Sequence, residues 1–262
     1  MKDSFVLKNP TPIRAVVEVQ DVRCFNEANG NITFSMTEGG TPPYLYSIDN
    51  QLFIKENIFP KLRSNRYELV VKDANNCVWE NTMELKQPEE FYVRLGEDQI
   101  IKLGQSTQIQ AVASAAYTSV KWSDDKITST NPSIAPLKST EYQITTIDKN
   151  GCEAKDAVWI YVKTEREVFA PKTFSPNNDG YNDAFTIFAG VDVTKVKNLQ
   201  VFDRWGNEVF NATDITPNDE AQGWQGTFRS QIASEGLYIY QATLEFIDGK
   251  SKDFSGEVSL LR

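Results

Sequence analysis

The stretch "GLYIYQATLEFID", Gly236 to Asp248, decides the fold class. It is rich in aromatic and β-branched residues, holds no proline and runs into the turn "IDGK", the pattern of a strand leading into a hairpin. Working outward, the same kind of segment recurs along the chain: "NITFSM" (Asn31–Met36), "YELVVKD" (Tyr67–Asp73), "EYQITTI" (Glu141–Ile147), "AVWIYV" (Ala157–Val162) and "LQVFD" (Leu199–Asp203). Glycine, proline and Asn/Asp turns separate them, as in "EGGTPP", "DANN", "DKNG" and "RWGN". Short strands at this pitch, with no helical stretch between them, predict an all-β protein of tandem Ig-like β-sandwich modules.

Composition narrows the function. The chain has 262 residues with 36 acidic and 27 basic side chains, a formal charge of -9. A nucleic-acid binder needs a basic face, so that class is set aside. Histidine is absent, which removes the commonest general base and any Ser-His-Asp or Cys-His arrangement. Three scattered cysteines do not make a closed zinc site. Carboxylate-pair chemistry stays formally open, but no spacing points to it. No apolar run approaches the ~20 residues of a membrane-spanning helix, and "MKDSFVLKNP" has no apolar signal-peptide core.

Internal repeats set the organisation. "FVLKNPTP" (Phe5–Pro12) recurs as "MELKQPEE" (Met83–Glu90), and "VKDANNC" ending at Cys77 recurs as "TIDKNGC" ending at Cys152. Repeats at this spacing predict a string of similar modules. Residues 1–14 read as the tail of a preceding repeat, with Met1 a start added to a fragment. Modules are expected at 15–89, 90–165 and 166–262, the last boundary lying in the charged run "TEREV" (Thr164–Val168).

The first module has a cysteine after its first strand, the segment "GGTPPYLYSID" (Gly39–Asp49) and the ending "YELVVKDANNC" (Tyr67–Cys77). These features resemble the SprB-type repeat of very large adhesins of gliding bacteria. The second module, with Trp122 expected buried on a central strand, resembles the Ig-like or PKD-like modules that follow such repeats. Relatives often carry a second cysteine after the Trp-Ser pair; here "DDKITSTNPS" has none, so Cys152 is expected to be unpaired. Cys24 and Cys77 bracket the first module and are expected to form a disulfide, given the oxidising compartment that a resemblance to secreted adhesin repeats implies.

The third module carries, in order, "FSPNNDGYNDAF", "VFDRWGNEVF", "GWQGTF", "GLYIY", "DGK" and "GEVSLLR". This set resembles the gliding-motility-associated C-terminal domain, the type B signal of the type IX secretion system. The resemblance implies a secreted or cell-surface protein, exported across the outer membrane by the type IX translocon with a SprF-like outer-membrane partner. Arg204, Trp205, Gly206, Trp224, Gly256 and Arg262 are the candidate sorting residues. "VFDRWGNEVF" reads as a hairpin with a positive-φ turn at Gly206-Asn207 and Arg204 stacked on the Trp205 indole. The corner either pins the sandwich or forms part of the face that the export machinery reads.

"FSPNNDGYNDAF" (Phe174–Phe185) has two readings. Laid on a calcium loop, Ser175, Asn177, Asp179, Tyr181 and Asp183 fall at ligand positions around Gly180. With only Asp179 and Asp183 charged, such a site would be weak. The other reading is a turn held by its own Asx hydrogen bonds, with no cofactor. For the whole chain, the leading expectation is a non-catalytic C-terminal fragment of an adhesin-like protein, with stalk modules before a sorting domain. The alternative is a glycan-binding module using Trp122, Trp205 or Trp224 as a stacking platform; an enzyme comes third.

Overall fold

The computed structural model describes residues 11–262, so most of the expected preceding-repeat tail lies outside the described residues. The chain is all-β; among the described residues the only helix is the single 3-10 turn Glu220–Gln222. Two compact units form: Met1–Arg94 with Val112–Trp122 and Ile144–Asp156, and Leu95–Ala111 with Ser123–Gln143 and Ala157–Arg262. Residues of the expected middle module are thus divided between the two.

The first unit contains a sandwich of two three-stranded antiparallel sheets. One has the order Arg14–Gln20, Gly30–Glu38, Ile58–Leu62; the other Leu45–Ile48, Asn65–Lys72, Val78–Leu85. Alternation sends Ile32 and Phe34 inward from the first, and Tyr46, Tyr67, Leu69 and Val71 inward from the second, into one shared core. The corner "EGGTPP" takes its shape from Gly39 and Gly40, both at positive φ. Asp73, almost fully buried, accepts the Thr41 amide at 2.8 Å and ties this corner to the turn ending at Cys77.

That turn is the repeated device of the molecule. In Asp73–Cys77 the Asp73 amide donates to Cys77 O, and Asn76 N donates to Asp73 O, while the Asp73 carboxylate accepts from Asn75 N and Cys77 N. Asp148–Cys152 repeats each of these bonds, with Gly151 at positive φ where Asn76 stands before. Asp203–Asn207 repeats them again, with Gly206 in that place. In this last turn Gly206 alone has positive φ, at 82°. The hairpin therefore has a three-residue loop with a glycine bulge rather than the two-residue Gly206-Asn207 turn expected, because the Asp203 carboxylate holds the loop open from inside.

The cysteine expectation is overturned. The disulfide joins Cys24 to Cys152, with Cα atoms 5.6 Å apart, and Cys77 is free and exposed. Cys77 and Cys152 occupy the same position of the same turn, yet Cys77 leaves its turn toward solvent while Cys152 and Cys24 are buried together. Bracketing a module in sequence did not bring Cys24 and Cys77 side by side.

Residues 90–163 supply a four-stranded sheet of order Tyr117–Trp122, Thr140–Asp148, Glu153–Lys163, Gln99–Lys102. Trp122 is buried as expected, but its strand is at the edge of this sheet, not the centre. In the second unit a five-stranded sheet runs Thr173–Phe174, Ser251–Leu260, Gly236–Phe246, Val193–Phe202, Glu208–Ile215. The opening stretch, Gly236–Phe246, is its central strand. Tyr238, Ala242, Leu244 and Phe246 enter the core with Val196, Leu199, Val201, Val258 and Leu260. The "TEREV" run is not a free linker. Arg166 pairs with Asp248 at 2.7 Å and lies 3.9 Å from the Phe246 ring, both partners largely shielded from water. Lys102 pairs with Glu167 at 2.9 Å.

Candidate functional site

Apart from "DGK", which forms the hairpin at the opposite end, the ordered motifs of the last hundred residues meet toward one end of the five-stranded sheet, and they divide into a buried support and an exposed rim. Trp224 is the centre of the support. It is 1% exposed, and its ring packs 5.2 Å from Phe174 and edge-on to Tyr238 at 4.7 Å. Its indole N–H donates to Thr227 O at 2.8 Å, the partner a buried indole requires. Backbone bonds in both directions between Phe185 and Trp224, each 2.9 Å, join "FSPNNDGYNDAF" to "GWQGTF". Gly223 and Gly226 permit this approach: a Cβ on the first would stand 2.6 Å from Phe185 O, and the second has φ +66° with Pro176 and Leu260 against it.

The chain end closes the same region. Arg262 donates to Gly226 O and Ala233 O, both at 3.2 Å. Gly256 faces Tyr240 across the strand pair, and a Cβ there would meet the Tyr240 ring at 2.9 Å. Trp224, Gly256 and Arg262 thus serve the packing of this end. Burial raises the Tyr238 pKa first, helped by Asp203 and opposed by Arg262 and Arg204. The strand register, with Phe202 opposite Ile239 and Gly236 opposite Leu260, places the Asp203–Asn207 turn at the same end of the sheet as Leu260.

The rim is exposed. Trp205 is 72% exposed, with the Arg204 guanidinium 4.2 Å from its ring centre. Phe202 pairs with Ile239 across the sheet, and Leu237, Ile239 and Leu261 are exposed beside it. Asp203 keeps the turn rigid. The Asn207 side chain, then the amides of Asn207, Trp205 and Gly206, hold its carboxyl below the usual carboxylate range. The arrangement offers an exposed indole with a cation against its ring. Among the described residues no group of three or more His, Cys, Asp or Glu is placed to hold a metal.

The "FSPNNDGYNDAF" loop lies beside this end. The Asp183 carboxylate accepts three amides, Asn177 N at 3.0 Å, Asn178 N at 2.7 Å and Gly180 N at 2.8 Å. Asn177 Oδ1 accepts Asp179 N and Asp179 Oδ1 accepts Tyr181 N, the two Asx turns read from the sequence. Asn177 Nδ2 donates to the remaining Asp179 oxygen. Amide dipoles thus surround the carboxylates as partial positive charge, and a calcium ion would have to displace them. Sequence reasoning gave Asp183 only a ligand's role; its place as the hub of three amides carried no local signal beyond an Asp six residues after Asn177.

Comparison with known proteins agrees with the motifs. Residues 168–260 match the CHU_C Type IX secretion signal domain, and residues 16–53 match the SprB repeat. No curated protein sequence matches. Among solved structures, a tetra-tandem repeat from the extending region of a large adhesion protein is 13% identical, covering 95% of this chain and 75% of that one at a TM-score of 0.32. A 1.5-MDa bacterial ice-binding adhesin is 11% identical, with coverages of 96% and 98% and a TM-score of 0.30. Drosophila N-cadherin EC1-3 is 11% identical, with 86% and 91% covered and a TM-score of 0.25. Likenesses this distant carry no argument. The chain carries a type IX secretion signal domain at 168–260 and a SprB repeat at 16–53, which indicate export across the outer membrane to the cell surface or the medium.

Proposed function

We propose that the exposed rim around Arg204 and Trp205 is the face by which the export machinery, including a SprF-like outer-membrane protein, reads this chain. The modules ahead of it, 15–89 and 90–165, would act as spacers of an adhesin-like surface protein without catalytic activity, and 166–262 would be its sorting domain. The observation that carries the reading is the division within one motif set. Trp224 is buried where packing explains it, whereas Trp205 is exposed on a turn already fixed by Asp203. Packing gives no reason for an indole and a cation at that tip. The full chain bearing Arg204→Glu with Trp205→Ala should melt like the wild type and fail to reach the cell surface, scored by surface protease accessibility. Wild-type surface levels of that variant would sink the proposal.

A further inference from the structure

A second aromatic feature lies away from the sorting rim, on the strand Glu153–Lys163. Trp159 and Tyr161 are two residues apart and so project from the same side of the sheet. Their rings are nearly parallel, with planes 14° apart and centroids 5.8 Å apart. Val158 and Ile160, on the opposite side, are fully buried. Trp159 is 37% and Tyr161 43% exposed. Ile100, the parallel-strand neighbour of Tyr161, is exposed too. Next in register, Lys163 stands opposite Lys102. On the other flank, the Thr140–Asp148 strand presents Glu141 and Gln143 to solvent.

Aromatic rings held parallel on a rigid sheet need little ordering on binding. The two rings stack on one another, so the face of each that is turned away from the other is what takes a flat ligand with C–H groups on its surface and hydroxyls at its edge. A pyranose ring has that form: its axial C–H face lies on the indole or phenol, and its equatorial hydroxyls reach side-chain amides, carboxylates and ammonium groups. The apolar part of the patch is Trp159, Tyr161 and Ile100, with charged and amide side chains close around it. That is far smaller than the apolar centre of a stable protein interface. The formal charge of -9 weighs against a nucleic acid, whose bases also stack on aromatics. Trp205, the other exposed tryptophan, has Arg204 against its ring.

We infer that the outward face of the Glu153–Lys163 strand is a glycan-binding platform, with Trp159 and Tyr161 stacking on pyranose rings and Gln143, Glu141 and Lys163 bonding their hydroxyls. This site is independent of the sorting rim, so either can fail without the other.

The test is native affinity electrophoresis of the full chain in gels containing hydroxyethyl cellulose, galactomannan or, as an acidic control, alginate. Retardation is expected in at least one neutral gel. It should weaken by ~10-fold in apparent Kd in Trp159→Ala, the loss of one stacked aromatic contact, and less in Trp159→Phe. Trp205→Ala should migrate like the wild type. Because Trp159 is 37% exposed and packs on the Tyr161 ring, Trp159→Ala should stay folded with only a small fall in melting temperature, which separates lost binding from lost fold. Four results would overturn the inference: no retardation in any neutral gel, retardation unchanged in the double Trp159→Ala, Tyr161→Ala variant, retardation by alginate alone, or equal loss in Trp205→Ala.

Discussion

Trp205 and Trp224 sit in neighbouring motifs of one module, each beside a glycine, and they do opposite things. Trp224 is enclosed by Phe174 and Tyr238 and donates its indole N–H to a carbonyl. Trp205 stands largely in solvent with Arg204 against its ring. The difference teaches that residue type and motif membership do not separate support from face. The backbone around each does. Gly223 and Gly226 let Trp224 sink beneath the strands, while the Asp203 turn lifts Trp205 away from them.

The comparison breaks most sharply through stability. Trp224→Ala should destabilise the chain by about 3–5 kcal/mol, since it removes a large side chain from a closed core. Urea unfolding followed by Tyr and Trp fluorescence checks this, and a cost below about 1 kcal/mol would place Trp224 on the same footing as Trp205.

The disulfide comes next and sharpens the contrast from the other unit. Cys152→Ser should cost about 2–4 kcal/mol by releasing a long closed loop, and Cys77→Ser should leave the melting temperature unchanged. Native alkylation followed by mass spectrometry should label Cys77 and leave Cys24 and Cys152 unlabelled until reduction. Labelling of Cys152 in the native oxidised protein would contradict the pairing.

In the loop beside Trp224, Asp183→Ala should cost about 1–3 kcal/mol, since three amides lose their acceptor. Asp179→Ala should cost less, because one amide and one side-chain donor depend on it. Both effects should be equal in EDTA and in millimolar calcium. A large rise of the wild-type melting temperature with calcium, abolished in Asp183→Ala, would make the loop a metal site instead.

The Asp203 turn beneath Trp205 gives a smaller effect with a defined pH dependence. Its folded-state pKa lies below the ordinary carboxylate value, through the Asn207 side chain first and then the turn amides. The carboxylate therefore contributes stability at neutral pH, fully present above its unfolded pKa, and the contribution fades as the pH falls through the folded value. Asp203→Ala should lower the melting temperature at pH 7, and the gap to wild type should close in acid. A gap that persists unchanged below the carboxylate range would mean that the turn is held by something other than the charge. Smallest of all, Trp205→Ala should shift unfolding by less than about 0.5 kcal/mol.

Much of the fold was legible because its causes are local. The segment "GLYIYQATLEFID" read as a strand running into a hairpin, and Gly236–Phe246 is a strand paired with Ser251–Leu260. The two D-x-N turns that end in cysteine were readable because an Asp carboxylate, two following amides and one positive-φ residue lie within five positions. The stacked Arg204–Trp205 pair followed from adjacency. The Asx turns at Asn177 and Asp179 followed for the same reason.

What only the tertiary structure decided is non-local. Two turns with the same hydrogen bonds end in cysteine, and the sequence does not say which one faces Cys24; packing brings Cys152 to it across a sequence separation of 128 residues. The same holds for the tryptophans named as stacking platforms. Trp122 and Trp224 are buried, and the parallel exposed pair is Trp159 with Tyr161, in an "AVWIYV" run whose alternation hides which side meets water. Alternation fixes that two faces differ. Only the elements packed against a strand determine which face is wet, because burial belongs to the space between strands and not to the strand itself.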